Sequence, residues 1–169
     1  MELSQSIHEA LSKQMNMEMA SAYLYLEMSY AVDEAGLAGF AHWLELQAGE
    51  EMEHAHRIQE YIKERNEQPQ LSDIVRYDFS YESPLGVARA ALEHEYLVSD
   101  SINKIVDMAL DERDHATVSF LKWFVDEQVE EEEVFTTLVD LFEFAGDNKG
   151  ALFALNKQLA MRNDENVAV

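Results

Sequence analysis

The chain contains no cysteine. Disulfides, zinc–thiolate sites and iron–sulfur clusters are therefore excluded, and any metal must be held by carboxylate or imidazole. Proline and glycine are scarce as well, two and six in 169 residues, so few points interrupt regular structure. Basic residues are outnumbered: 12 Lys and Arg stand against 34 Asp and Glu, a formal charge of −22. That balance lacks the basic footprint needed for nucleic acid or an anionic membrane surface, and neither is expected as a partner. Cation traffic, simple solubility and a salt-rich cytoplasm are all compatible with such acidity. No apolar run is long enough to cross a bilayer, and Met1-Glu2-Leu3-Ser4 carries neither a basic nor an apolar leader region. A cytoplasmic protein is expected.

What the chain has in quantity is helix-forming sequence, at 47% hydrophobic content, enough for one domain over residues 1–169 with a sizeable core. The apolar period describes four long helices and one short one. The first runs roughly from Ser4 to Asp33, with Ile7, Leu11, Met15, Glu18, Ala22, Tyr25 and Ser29 on one stripe. After the turn at Glu34-Ala35-Gly36-Leu37, a second runs from about Gly39 to Asn66, its stripe being Phe40, Leu44, Gln47, Glu51, His54, Ile58 and Ile62. The one long connection, Glu67 to Ser83, follows. Ser83-Pro84 supplies an N-cap and a first-turn proline for a third helix to about Ala109, striped by Leu85, Ala88, Leu92, Glu95, Ser99, Ile102, Val106 and Ala109. The fourth begins at the Asp111–Asp114 turn and carries Leu121, Phe124, Gln128, Glu131, Phe135, Leu138 and Phe142, with Gly146 as a helix stop. A short fifth helix, about Gly150 to Ala160, presents Leu152, Phe153, Leu155 and Leu159. Spacings of three and four in the long segments predict an all-α, left-handed four-helix bundle, built from two antiparallel hairpins joined by a long crossover.

Each long stripe carries a carboxylate at mid-helix: Glu18, Glu51, Glu95 and Glu131. Four bare charges at one depth would be ruinous, since each desolvated ion costs several kcal/mol. Cations between them resolve the conflict. His54 lies one turn beyond Glu51 on the same side, a spacing that suits a metal shared between helices. Four carboxylates and one imidazole suffice for two metals with one carboxylate bridging. Hard oxygen donors with a single imidazole fit iron or manganese, with open positions for dioxygen, whereas zinc would bind without redox work. Tyr25, two turns beyond Glu18, is placed to hydrogen-bond a ligand or supply an electron, and equally to pack as a core aromatic.

Gln14-Met15-Asn16-Met17-Glu18, Glu50-Glu51-Met52-Glu53-His54, His94-Glu95 and Glu127-Gln128-Val129-Glu130-Glu131 resemble the motifs of non-haem bacterial ferritins. The match extends over essentially the whole chain, including helix lengths, crossover and fifth helix. The resemblance implies a ferritin-like antiparallel four-helix bundle whose copies form a cage of 24 subunits. Such a cage oxidises Fe(II) with dioxygen or hydrogen peroxide and stores Fe(III) as mineral. It implies Glu18, Glu51 and His54 on a first iron, and a second iron, bridged by Glu51, on Glu95 and Glu131. Gln128 would be a close polar neighbour, Tyr25 the tyrosine beside the centre, and Trp123 nearby. Glu50, Glu127 and Glu130 match a third iron site.

Departures narrow the resemblance. Bacterioferritins repeat Glu-x-x-His on the fourth helix, where this chain has Gln128 and Glu131. Met52 matches a haem-ligating position, but a methionine in a helix interface is ordinarily packing, and haem is not expected. At the positions matching the acidic three-fold channel of animal ferritins stand Val118 and Leu121. His8, His42, His56, His94 and His115 lack a second ligand at convincing spacing and read mostly as surface or interface residues. In Glu130–Glu133, Glu131 faces inward, Glu130 borders the site, and Glu132 and Glu133 are external. Tyr77, Phe79 and Tyr81 suit either local packing or a subunit interface. The competing reading is a rubrerythrin-like di-iron peroxidase that stores nothing. The missing cysteines remove the electron-transfer site such proteins carry.

Overall fold

The computed structural model describes residues 2–163. Five α-helices follow in order: α1 (Gln5–Glu34), α2 (Ala38–Glu64), α3 (Pro84–Asp111), α4 (His115–Ala145) and α5 (Lys149–Leu159). Their ends are set by local chemistry. Ser4, Ser83, Asp114 and Asn148 each accept a backbone N–H of the first turn that would otherwise be unpaired. The α1–α2 turn uses Gly36 at φ +86°, and Gly146 closes α4 at φ +50°. None of the described helices is long and apolar enough to cross a membrane.

Helices α1 and α2 form one antiparallel hairpin and α3 and α4 the other, and α1 also packs on α3. The crossover between α2 and α3 runs the length of α1. His8 Nε2 bonds the Gln68 carbonyl, Asn16 bonds Gln70 and Ser72, and Arg76 pairs with Glu27. Of its aromatics, Tyr77 and Phe79 tuck partly against the core, whereas Tyr81 is exposed.

The core divides into two apolar clusters. One gathers Tyr25, Met28, Phe40, Trp43, Leu44, Phe135, Leu138 and Phe142, capped by Leu155 and Leu159 of α5. The other gathers Ile7, Leu11, Met15, Ile58, Ile62, Ile102, Leu121 and Phe124. On every long helix the buried residues between the two clusters are polar, Ala20 excepted: Glu18 and Ser21, Glu51 and His54, His94 and Glu95, Gln128 and Glu131. The bundle is thus an apolar–polar–apolar stack.

Two expectations are corrected at this level, and a third, the inward face of Leu121, holds. Phe153 is exposed, because α5 uses only its Leu155–Leu159 side for docking. On α3 the buried face is Val87, Ala91, Val98 and Ile105 together with the alanines, while Leu85, Leu92 and Val106 lie at its edge. Leu121 is fully buried in the second cluster and Val118 packs beside it, so these side chains serve the core.

Helix α5 lies against α2 and α4. The approach to α2 demands glycine: a Cβ on Gly39 would fall 1.8 Å from the Asn156 carbonyl oxygen. Asn156 Oδ1 also accepts from Phe40 N at 3.0 Å. This contact fixes where the chain emerges after α5.

Candidate metal centre

Glu18, Glu51, Glu95 and Glu131 are all buried in the polar layer, one from each long helix. Three glutamine amides hold them. Gln14 Nε2 donates to Glu18 Oε1 at 2.9 Å, and Gln128 Nε2 to Glu95 Oε2 at 3.1 Å. Gln47 Nε2 donates to Glu51 Oε1 at 3.2 Å and to both oxygens of Glu131 at 3.0 Å. The amide orientations are set from behind. Ser101 Oγ donates to Gln14 Oε1, and Arg162 Nη1 donates to Gln47 Oε1 at 3.0 Å. The NH₂ groups of Gln14 and Gln47 therefore face the carboxylates. Tyr25 donates its hydroxyl to Glu95 Oε1.

These donors do not satisfy the layer. Glu18 Oε2 is buried with no partner outside the acids themselves, and the neighbour its side chain meets is the equally buried Glu51 carboxyl. One ligand atom each of Glu18, Glu51 and His54 lies within 4.8 Å of the other two, and the same holds for His54, Glu127 and Glu131. Burial first, and the neighbouring carboxylates second, push the pKa of Glu18, Glu51, Glu95 and Glu131 up to about 8. The second influence links the four: Glu51 acts on Glu18 and Glu95, Glu131 on Glu51, and Glu95 on Glu131. Without cations, then, the layer is held largely neutral by protons at pH 7. Burial, followed by the Glu95 carboxylate, raises the Tyr25 phenol well above its usual range, so it stays a donor. An orphaned carboxylate oxygen amid four crowded acids and an imidazole is a donor set that divalent cations fit.

His54 is positioned by α2 and by aromatic packing. Its ring meets Trp123 edge-on at 5.4 Å and Phe124 at 6.1 Å between centroids. A cavity of about 880 Å³ opens beside it, lined by Glu50, His54, Arg57, Trp123 and Glu127, with the Arg57 guanidinium 4.1 Å above the Trp123 ring. Met52 is exposed and borders this cavity.

The outer acids behave differently from one another. Glu127 is half-buried, and burial raises its carboxyl. Glu50 pairs with Arg162, and Glu130 is exposed and belongs to neither ligand group. Glu132, expected outside, is half-buried and accepts from Ser99 Oγ. His94, read with the surface histidines, is buried. Its Nε2 bonds Ser21 Oγ at 2.7 Å, its ring lies 4.6 Å from Tyr77 and 6.0 Å from Tyr25, and burial lowers its pKa to about 4. It therefore carries no charge at neutral pH. Burial of both neighbours His94 and Glu95 shows that the α3 stripe is wider than one residue. Arg162 gave no periodic signal because it lies beyond the last helix.

A family model described as a ferritin-like domain matches residues 8–145. A bacterial non-heme ferritin of Bacteroides fragilis is 38% identical over 160 residues, 95% of this chain and 99% of the relative. A probable bacterial non-heme ferritin-like protein of Haemophilus influenzae is 36% identical over 157 residues, 93% and 95% of the two chains. Among solved structures, an open pore ferritin from the hyperthermophilic archaeon Archaeoglobus fulgidus superposes with a TM-score of 0.93 at 38% identity, covering 95% of this chain and 99% of that one.

Proposed function

The chain belongs to the ferritin-like family, and from that premise and the polar layer we propose that it stores iron, oxidising Fe(II) at a di-iron centre and retaining Fe(III) as mineral inside a cage of 24 copies. The observation that carries this reading is the orphaned Glu18 Oε2 among four buried carboxylates and His54. Iron here is substrate and cargo. Glu18, Glu51 and His54 would take one ion, Glu95 and Glu131 a second, and Glu51 would bridge them. Binding displaces the protons that keep the metal-free acids neutral. Two Fe(II) ions give two electrons; with two protons these convert dioxygen to hydrogen peroxide, or hydrogen peroxide to two waters. Tyr25 stabilises the Glu95 carboxylate as a donor, and Gln128 does so from the other side. The cavity beside His54 supports iron passage between the centre and the exterior of the bundle. Glu127, with Glu50 and Glu130, would serve an outer third ion. The absence of any membrane-spanning helix among the described residues suits work in the cytoplasm.

The test is anaerobic loading of sized material with Fe(II), then air. Rapid oxidation of two to three irons per subunit, followed by slower mineral growth within a very large particle, is expected. Stoichiometric oxidation in a small oligomer that retains no mineral would overturn the storage reading.

A further inference from the structure

Arg162 is the one arginine of the described residues whose side chain is almost wholly buried, at 1% exposure. It is held at every level. Its backbone N–H donates to the Leu159 carbonyl at 3.2 Å, and its own carbonyl accepts from His42 Nε2 at 3.1 Å. The guanidinium lies 4.4 Å above the Trp43 ring. Nη1 donates to the Trp43 carbonyl at 3.2 Å and to Gln47 Oε1 at 3.0 Å, and Nη2 donates to Glu50. A guanidinium never loses its charge, so this is a permanent cation seated on one wall of the metal layer.

That placement has a consequence for Glu50. A carboxylate already paired with a cation is a weaker ligand for a second one, because the two positive charges repel; the guanidinium is buried, and Glu50, at 25% exposure, faces the cavity with its other side. Arg162 engages Glu50 through Oε2, so an incoming divalent ion at Glu50 competes with the guanidinium for that carboxylate. We propose that Arg162 is the resident counter-cation of Glu50, so that a third divalent ion binds there in competition with the docking of residues 160–163, which follow α5. This rests on the reading of Glu50 as a ligand of an outer cation site. The linkage is reciprocal: the docked segment weakens the third ion, and the third ion weakens docking. Displacement also frees Gln47 Oε1, which loosens the amide that serves Glu51 and Glu131.

Trp43 reports the event directly, since eviction removes the cation from its indole ring. The assembled protein carrying Trp123→Phe, which leaves Trp43 as the sole tryptophan, is titrated anaerobically with Zn(II). Its emission is expected to change with the third equivalent per subunit. In Arg162→Gln that change disappears, and the third affinity rises about tenfold or more, the size expected when a hydrogen bond to a charged group no longer competes. Arg162→Lys should fall between, because a compact ammonium keeps the charge but lacks the planar two-nitrogen fork that reaches Gln47 and Glu50 from separate atoms. Glu50→Gln, which keeps an acceptor for Arg162, should lose the third equivalent and leave the Trp43 emission flat. A third affinity unchanged in Arg162→Gln, or a Trp43 emission indifferent to the third ion in the parent, overturns the inference while two tight equivalents stand. A parent that binds no Zn(II) tightly overturns the metal-centre reading, and this inference with it.

Discussion

The side-chain nitrogen of Gln47 lies 3.0 Å from both carboxylate oxygens of Glu131, which belongs to the other hairpin of the bundle. The same nitrogen reaches Glu51 on its own helix. One amide thus ties the two hairpins together through Glu51 and Glu131. In the metal-free protein it is a structural contact, and it should matter less once cations take those oxygens. Gln47→Leu is therefore expected to destabilise the metal-free protein by about 1–3 kcal/mol, the usual cost of leaving a buried polar group unpaired. The loss should shrink when Zn(II) is present. Thermal unfolding in chelator and in excess Zn(II) checks this, and equal losses in both would count against it.

The raised carboxyl groups fix a pH dependence. Glu18, Glu51, Glu95 and Glu131 titrate at about 8 in the folded chain against an ordinary value of 4.5. Between those values the folded state holds more protons than the unfolded one, so stability falls as pH rises through the window. Below 4.5 the four contribute nothing, and above about 8 their full penalty is present. Metal-free protein should lose denaturant resistance from pH 5 to pH 8, while Zn(II)-loaded protein should not. The corollary is proton release on binding at pH 7. Calorimetry in buffers of different ionisation enthalpy measures it, and a binding heat independent of buffer would contradict it.

The docking of α5 is tested at Gly39, where any side chain collides with the Asn156 backbone. Overpacking of this kind typically costs about 1–3 kcal/mol. Gly39→Ala is expected to lower stability by that order and to raise protease sensitivity around α5 and Arg162, while the α1–α4 helical signal persists. Unaltered proteolysis would show that the approach is looser than the geometry states.

The four carboxylates were legible because polarity at an apolar phase is visible in a single helix: Glu18, Glu51, Glu95 and Glu131 interrupt stripes of Ile, Leu and Phe. His54 followed from its one-turn spacing. Other participants have partners far away in the chain, and spacing carries no trace of them. His94 bonds Ser21, 73 positions earlier, and Arg162 meets Gln47 and Glu50 at separations of 115 and 112. Gln47 stood on the right stripe, but its two acidic partners emerge only when α2 and α4 converge. Glu130 rests on the motif match alone, and its side chain is exposed on α4. Phe153 departs from expectation because a short helix packed on one side leaves apolar residues on the other.

The proposed bridging of two cations by Glu51 is tested by Glu51→Ala. Stopped-flow oxidation of two Fe(II) per subunit is compared with the parent, after sizing shows both assembled alike. Loss of a group behind a ligand commonly costs roughly 10–100-fold, and loss of the bridging ligand itself should cost more. The fast phase is expected to disappear while the particle stays intact. Oxidation at the parental rate in an intact particle would contradict the bridging and place the centre elsewhere in the bundle.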